Sequence, residues 1–351
     1  MTIETELRQI LELMGEPAFC AAEGQVIAAN QSARELGICP GQAVDSLLKT
    51  GSDDYAEFEG GVLFLSMAVG GTCLTARVSK FRNTDLFVLE PEDADPSLQA
   101  LALAAQTLRK PLGNVMTSFD QLAHSLPEED KAQAEALCRM NRGFHQLLRL
   151  VNNMSDASTA GVCRMEIRNV TAVLREMLER CETLLEGTEI RLVVENSPES
   201  IYSLIDSRKL ERAVYNLLSN AIKHTPKGGT IRVALTRRNR AMLLTVTNDL
   251  PEGTELGADS FSRYLRSPSL GSAREGLGLG IPLVRSVAAA HQGTLLLQHD
   301  GRRMRAVIRL PICQETSGLR SPSLSIDQDG GHDRGLIELS DVLPPECFLL
   351  K

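Results

Sequence analysis

The sequence predicts a multidomain α+β chain, and three observations carry that reading. Residues 1–90 alternate short apolar runs with turn signals, the pattern of a small strand-containing domain. Leu98–His124 and the stretch around Leu137–Met154 repeat apolar residues at intervals of three and four, the mark of helices packed in a bundle. From 159 to 313, strand-like runs are interleaved with amphipathic helices around one long helix that starts at Asp206 or Ser207. A chain of 351 residues is also too long for one small core, so two or three domains are expected.

Composition narrows the function classes. The chain is 43% hydrophobic and 23% charged, with no tryptophan, as in soluble globular proteins. A net charge of -8 argues against a nucleic-acid surface, which needs clustered Lys and Arg. No apolar run approaches the ~18 residues of a membrane span, and the acidic start Met1–Glu6 is no secretory signal. The eight cysteines (20, 39, 73, 138, 163, 181, 313, 347) form no Cys-x-x-Cys pair and have no histidine at metal-ligand spacing. The expectation is a cytoplasmic protein with reduced thiols, no nucleic-acid partner and no membrane span.

In residues 1–90, Thr5–Met14 reads as a short helix. Ala18–Ala22 and Gln25–Ala29 read as strands around the hairpin-turn dipeptide Glu23-Gly24. Asn30 caps a helix through Leu36, which Gly37 stops. Val62–Val69, Thr72–Phe81 and Leu86–Glu90 form a meander punctuated by Gly70-Gly71 and Asn83. This order, with the phrase Gly24-Gln-Val-Ile-Ala-Ala-Asn30, resembles a PAS sensor domain. No ligand can be named from these residues, and Glu90–Pro96 reads as a linker.

Residues 91–158 read as a helical hairpin. The first seam is Leu98, Leu101, Ala105, Leu108, Leu112, Val115, Phe119 and Leu122; the second is Leu137, Met140, Phe144, Leu147, Val151 and Met154. Two helices with one apolar stripe each cannot bury both stripes alone, so a four-helix bundle in a homodimer is expected. Pro111 falls within the first helix, where it removes a backbone hydrogen bond. Leu108-Arg109-x-Pro111-Leu112 resembles the phosphoacceptor helix of sensor histidine kinases, whose core phrase is His-Glu-Leu-Arg-x-Pro-Leu. By that resemblance Gln106 stands at the acceptor histidine, Thr107 at the acidic position beside it, and Lys110 at the Thr or Asn implicated in dephosphorylation. The scaffold positions are kept and the three chemical ones are changed. An imidazole nitrogen attacks phosphate through its lone pair, whereas the lone pair of a carboxamide nitrogen is delocalised into the carbonyl. His124 lies about 27 Å further along the helix at 1.5 Å per residue, and His145 reads as a surface or flank residue of the second helix.

In residues 159–313, Thr171–Glu186 is an amphipathic helix, and Glu189–Asn196 and Ile201–Leu204 are strands. On the helix that follows, Asn216, Asn220 and Lys223 share one face. The phrase Asn216-Leu-Leu-Ser-Asn220-Ala-Ile-Lys223-His-Thr-Pro is similar to the asparagine box of the same family, within a GHKL-type (Bergerat-type) α/β sandwich that binds ATP. The resemblance implies that Asn220 holds Mg²⁺ between the phosphates, Asn216 orients the γ-phosphate and Lys223 contacts phosphate. Amide oxygens are hard ligands suited to Mg²⁺. Strand alternation places Asn248 on the inner face at the end of Met242–Asn248, where the family has an adenine-binding aspartate before Gly-x-Gly. Here the chain reads Asn248-Asp249-Leu250-Pro251-Glu252-Gly253, a weaker acceptor on a stiffer turn. Residues 250–275, with Phe261 and Tyr264, resemble the family's lid. Gly276-Leu277-Gly278-Leu279-Gly280 opens a helix through Ala290 and is like the second glycine box, whose backbone N–H groups approach phosphates. Arg274 replaces a further upstream glycine. His291-Gln-Gly293 ends that helix, and the hairpin Thr294–Gln298/Met304–Pro311 follows.

Residues 314–351 read as a tail, Ser/Pro-rich over Ser317–Ser325, with enough apolar residues in Leu336–Leu350 to dock on the protein or a partner. The resemblance implies a two-component signalling protein that binds ATP and Mg²⁺, lacks the usual acceptor, and partners a response regulator or an active histidine kinase. Two alternatives stand beside it. One is an active kinase or ATPase using His145 or a partner protein as acceptor; the other is a dimeric scaffold with a vestigial nucleotide site.

Overall fold

The structure is a computed structural model, and it describes residues 3–81, 83–91, 96–125, 131–158, 163–195, 199–253, 280–313 and 333–349. Helix α1 (Ile3–Glu12) leads into the hairpin β1 (Ala18–Ala22) and β2 (Gln25–Ala29). At its turn Glu23 and Gly24 both take positive φ, 50° and 73°, as a two-residue hairpin turn requires. Helices α2 (Gln31–Glu35) and α3 (Ser52–Ala56) precede the meander β3 (Val62–Val69), β4 (Thr72–Phe81) and β5 (Thr84–Pro91). The α3 helix falls in a stretch rich in Gly, Ser and Asp. The first hairpin folds back beside the last strand, giving the order β2-β1-β5-β4-β3. Phe19 stacks on Phe87 at 4.4 Å, with Tyr55 edge-on, at the centre of this core.

Asn30 does more than cap α2. Its Oδ1 accepts from Ala33 N at 2.9 Å and from Ala18 N at 3.0 Å, while its Nδ2 donates to the carbonyls of Glu16 and Leu11 at 2.8 and 3.3 Å. One buried amide thus joins α1, β1 and α2.

Helices α4 (Pro96–Ser125) and α5 (Lys131–Ser158) form the hairpin, and α4 runs without interruption through Pro111. Each seam divides. Ala105 and Phe119 of the first seam are buried, as is Met116 outside it, and Phe119 meets Phe144 of α5 edge-on at 5.1 Å. Leu108, Val115 and Leu122, seven residues apart, are about half exposed, and so are Met140 and Leu147.

The next domain comprises β6 (Glu166–Asn169), α6 (Val170–Leu185), β7 (Arg191–Glu195), β8 (Tyr202–Ile205), α7 (Ser207–His224), β9 (Thr230–Arg238), β10 (Ala241–Asp249), α8 (Gly280–Ala290), β11 (Thr294–His299) and β12 (Arg303–Pro311). Strands β6 and β8 make a small separate sheet; the rest order as β11-β12-β10-β9-β7. The apolar faces of α6, α7 and α8 cover one side of that sheet in a single core. Strand β3 pairs antiparallel with β11, Leu295 opposite Phe64 and Leu297 opposite Val62, so the two sheets merge into one of ten strands. Successive β3 side chains then serve different cores: Val62 and Phe64 join the core under α6–α8, and Leu63 and Leu65 the amino-terminal one. Arg309 pairs with Asp53 and Asp54 at 2.8 Å each, and Arg238 with Glu57 at 2.8 Å, across the junction.

The segment at 333–349 docks, with α9 (Arg334–Glu338) and a 3-10 turn at Pro345–Phe348 packed on α5, α6 and α7.

Asn30→Ala removes both the acceptor for two buried N–H groups and the tie to α1. A loss of roughly 2–4 kcal/mol in urea-unfolding stability is expected, from the cap and the unsatisfied donors together. A loss under 1 kcal/mol would mean that water replaces the amide.

Candidate functional site

The site grows from the start of α7. Asp206 caps the helix, its Oδ1 accepting from Lys209 N at 3.2 Å, and its Oδ2 accepts from Arg164 N at 2.9 Å. Its own N–H donates to Nε2 of the buried His291 at 2.9 Å, while the other ring nitrogen donates to Val287 O at 2.7 Å. The imidazole is therefore held as the neutral Nδ1–H tautomer, and it locks the end of α8 to the start of α7.

Leu210, Val214, Leu217, Leu218 and Ala221 anchor α7 in the core. Asn216 is only 2% exposed, and its Nδ2 donates to Arg212 O at 2.9 Å. Gly280, the first residue of α8, sits directly over the pair. A Cβ built there would lie 3.2 Å from Asn216 Oδ1 and 3.6 Å from Asn220 Nδ2. The lack of a side chain leaves a small polar cradle between the helix start and two amides, the setting in which N–H groups and amide oxygens meet an anion and its cation. Among the described residues, no group of three or more His, Cys, Asp or Glu could hold a metal.

The other expected residues are placed as follows. Asn248 is buried on the inner face of β10, its Nδ2 donating to Asp249 O at 3.0 Å. Asp249 turns to the opposite face, accepting from Thr230 N at 2.9 Å and pairing with Arg303 at 3.5 Å. Lys223 ends the α7 face, but its Nζ lies 3.7 Å from Asp341 Oδ2, a residue of the docked segment. Burial lowers the pKa of Lys223, and Asp341 offsets part of that effect. Gly276, Leu277, Gly278 and Leu279, like Phe261, Tyr264 and Arg274, lie outside the described residues.

On α4, Gln106, Thr107 and Lys110 are exposed, and Thr107 Oγ1 donates to Ala104 O at 2.7 Å. Arg109 reaches across to Asn152 Oδ1 at 2.5 Å. The expectation of a surface or flank position for His145 is corrected: it is 5% exposed, because Phe348 of the docked segment covers its ring at 5.3 Å. Sequence reasoning also missed Arg149, Arg212, Glu338 and Asp341, which interlock beside Lys223. The available signal was Asn141, His145 and Arg149, polar residues at intervals of four along a bundle helix; all three are buried.

Residues 205–314 match the family of histidine kinase-, DNA gyrase B- and HSP90-like ATPases. That stretch, about a third of the chain, is similar to this family. Curated proteins similar to part of the chain are sensor histidine kinases. Sensor histidine kinase CusS of Escherichia coli O6:H1 is 29% identical over 59% of this chain and 44% of its own length. The signal transduction histidine-protein kinase/phosphatase MprB of Mycolicibacterium vanbaalenii is 31% identical over 64% of this chain and 47% of its own. The chain thus spans under half the length of these relatives. Among solved structures, full-length ShkA in complex with AMPPNP is 20% identical over 63% of this chain and 47% of that one, with a TM-score of 0.48. No described helix is long and apolar enough to cross a membrane.

Burial lowers the pKa of His291 below the ordinary value. On acidification the unfolded chain takes up this proton first, near about pH 6.5. The contribution of His291 is thus complete above that pH and is lost as the pH falls toward the lower folded value. The urea midpoint should drop more steeply between roughly pH 7 and 5.5 for the wild type than for His291→Gln. Equal slopes would exclude this ring as the source.

Proposed function

We propose that the chain is an ATP- and Mg²⁺-binding, homodimeric member of the two-component signalling proteins that does not autophosphorylate at the usual position. One observation carries this reading. Gly280 lies against Asn216 and Asn220, a juxtaposition that suits a phosphate and its cation, whereas Gln106 stands at the position that the phrase Leu108-Arg109-x-Pro111-Leu112 assigns to the acceptor. In the cradle Asn220 would hold Mg²⁺ through its amide oxygen, Asn216 would orient the terminal phosphate, and Gly280 would leave room for the phosphates against the start of α8. The cation would neutralise triphosphate charge. Asn248, buried at the sheet end, would accept from the adenine amino group. Gly276, Leu277, Gly278 and Leu279 are assigned to phosphate binding by resemblance alone.

The five-stranded order β2-β1-β5-β4-β3, a hairpin folded back beside a meander, supports a PAS-like sensor for residues 1–90. The half-exposed stripes Leu108–Val115–Leu122 and Met140–Leu147 support pairing with a second copy into a four-helix bundle. The relatives' role makes a response regulator or an active histidine kinase the expected partner, meeting the exposed face of α4 around Gln106. Nucleotide binding would then bias how that partner docks. His145 weighs against the reading of a substitute acceptor: its ring lies under Phe348 and its Nδ1 is engaged with Asn141 O at 2.9 Å.

Two measurements test this. Incubated with γ-labelled ATP and Mg²⁺, the wild type should stay unlabelled, while Gln106→His gains label; label on the wild type would overturn the loss of the acceptor. Calorimetry should show nucleotide binding that Asn220→Ala weakens by about ten-fold or more, a loss of about 1.4 kcal/mol. For the dimer, Leu108→Glu with Leu147→Glu should halve the mass seen by light scattering, and an unchanged mass would exclude this face.

A further inference from the structure

The docked segment at 333–349 is built into the protein rather than laid on it. Asp333 caps α9 by accepting from Leu336 N at 3.2 Å, and Ile337, Leu339, Leu343 and Phe348 are fully buried. Arg142 of α5 donates to the carbonyls of Ser340 and Asp341 at 3.0 and 3.1 Å, and Asn141 to that of Phe348 at 3.0 Å.

Its two carboxylates have different settings. Glu338 is 2% exposed, where an ionised group is tolerated only if paired. It lies 3.2 Å from Arg212 Nε on α7 and 3.9 Å from Arg149 Nε on α5, and so joins the hairpin to the asparagine helix. Asp341 stands at the rim, a third exposed, 2.7 Å from Arg149 Nη1 and 3.7 Å from Lys223 Nζ. Three cations thus face two carboxylates. The outermost cation, Lys223, lies one helical turn beyond Asn220 on the same face of α7.

We propose that the 333–349 segment is an intrachain clamp in which Asp341 holds Lys223 against the docked segment, so that a nucleoside triphosphate and Asp341 compete for that lysine. The inference rests on the nucleotide reading above. Glu338 is the fixed anchor, because it is itself buried and its partner Arg212 is tied to another group: Arg212 Nη2 donates to Asn153 Oδ1 at 2.9 Å. Asp341 is the part that gives way. A triphosphate carries more charge than one carboxylate and accepts several charge-assisted hydrogen bonds, so it can draw Lys223 away while the Glu338 pairs hold. The segment would loosen at Asp341–Ser340 without undocking Phe348, and nucleotide occupancy would be reported on α5 through Arg149.

The test uses the full chain, with a fluorescent ATP analogue and Mg²⁺ as the probe and circular dichroism to confirm folding. Asp341→Asn keeps the shape and removes the charge. It should tighten the probe by roughly two- to five-fold, the scale of one partly exposed ion pair. In a Lys223→Ala background the same substitution should change nothing. Hydrogen exchange at 339–342 should rise when the probe saturates the wild type. Binding seen only in Asp341→Asn would support the clamp in its fully closed form. Equal affinity of wild type and Asp341→Asn would overturn the clamp and leave the nucleotide site standing. Failure of every variant to bind would overturn both.

Discussion

The pairing of β3 with β11 is the constraint on which the rest of the molecule depends. It spans only Val62–Phe64 against Leu295–Leu297, yet it turns two five-stranded sheets into one. A slip of one residue would exchange Phe64 for Leu63 or Leu65 and turn each core's side chains toward the other, so this register is strongly specified. The junction also occupies two strand edges that would otherwise expose unpaired backbone groups. Gly61, with φ of 92°, sits against the Leu297 carbonyl so closely that a Cβ has no room. Asp54 closes the seam, accepting from Arg309 at 2.8 Å and from Thr294 Oγ1 at 2.6 Å. The amino-terminal domain is therefore joined to the ATPase-family domain directly, without the helical hairpin as intermediary.

The hairpin has its own connection, made of polar groups. Arg109 of α4 meets Asn152 of α5; Arg212 of α7 donates to Asn152 O at 3.5 Å and Asn153 Oδ1 at 2.9 Å; and Asn216 donates to Arg212 O. This contiguous line runs from the Leu-Arg-x-Pro-Leu phrase to the cradle. Contiguity alone is not coupling, which needs an element with two arrangements that both ends bias. The rim pair Lys223–Asp341 has the required character: it is partly solvated, and one partner has a competing ligand in the proposed function. The buried Glu338 pairs do not, because breaking them would strand a charge.

Much of this was legible in the sequence, for identifiable reasons. Residues Val62–Val69 and Thr72–Phe81 were bounded correctly because alternation and Gly70-Gly71 act within a few residues. The α7 face was legible because helical spacing places Asn216 beside Asn220 without any tertiary information. Strand parity likewise separated Asn248 from Asp249. What escaped was partner choice. Alternation says which face of β3 is buried, but not that β11 lies along its edge or that both faces are covered. Strand β6, Glu166-Ile-Arg-Asn169, is too polar to stand out, and β5 begins at Thr84, two residues before the apolar run suggests. The apolar content of Leu336–Leu350 indicated docking, while its place on α5, α6 and α7 depends on arginines whose spacing resembles that of any solvated helix face.

In the proposed function the residue at the acceptor position differs from the family's while the phrase around it stays. In that reading, a helix without phosphoryl transfer would gain from losing Pro111, which removes a backbone hydrogen bond, and from a more polar residue at Leu108, which is 49% exposed. Both remain. Arg109 also remains, and its bond to Asn152 begins the line that ends at Asn216. Within the phrase Leu108 faces outward at heptad spacing with Val115 and Leu122, and the exposed Arg109 reaches across to α5. Gln106 and Lys110 occupy exposed positions of α4. In the proposed function, exchanges at those two exposed positions would alter the chemistry of the surface and leave the Arg109–Asn152–Arg212 line of hydrogen bonds in place.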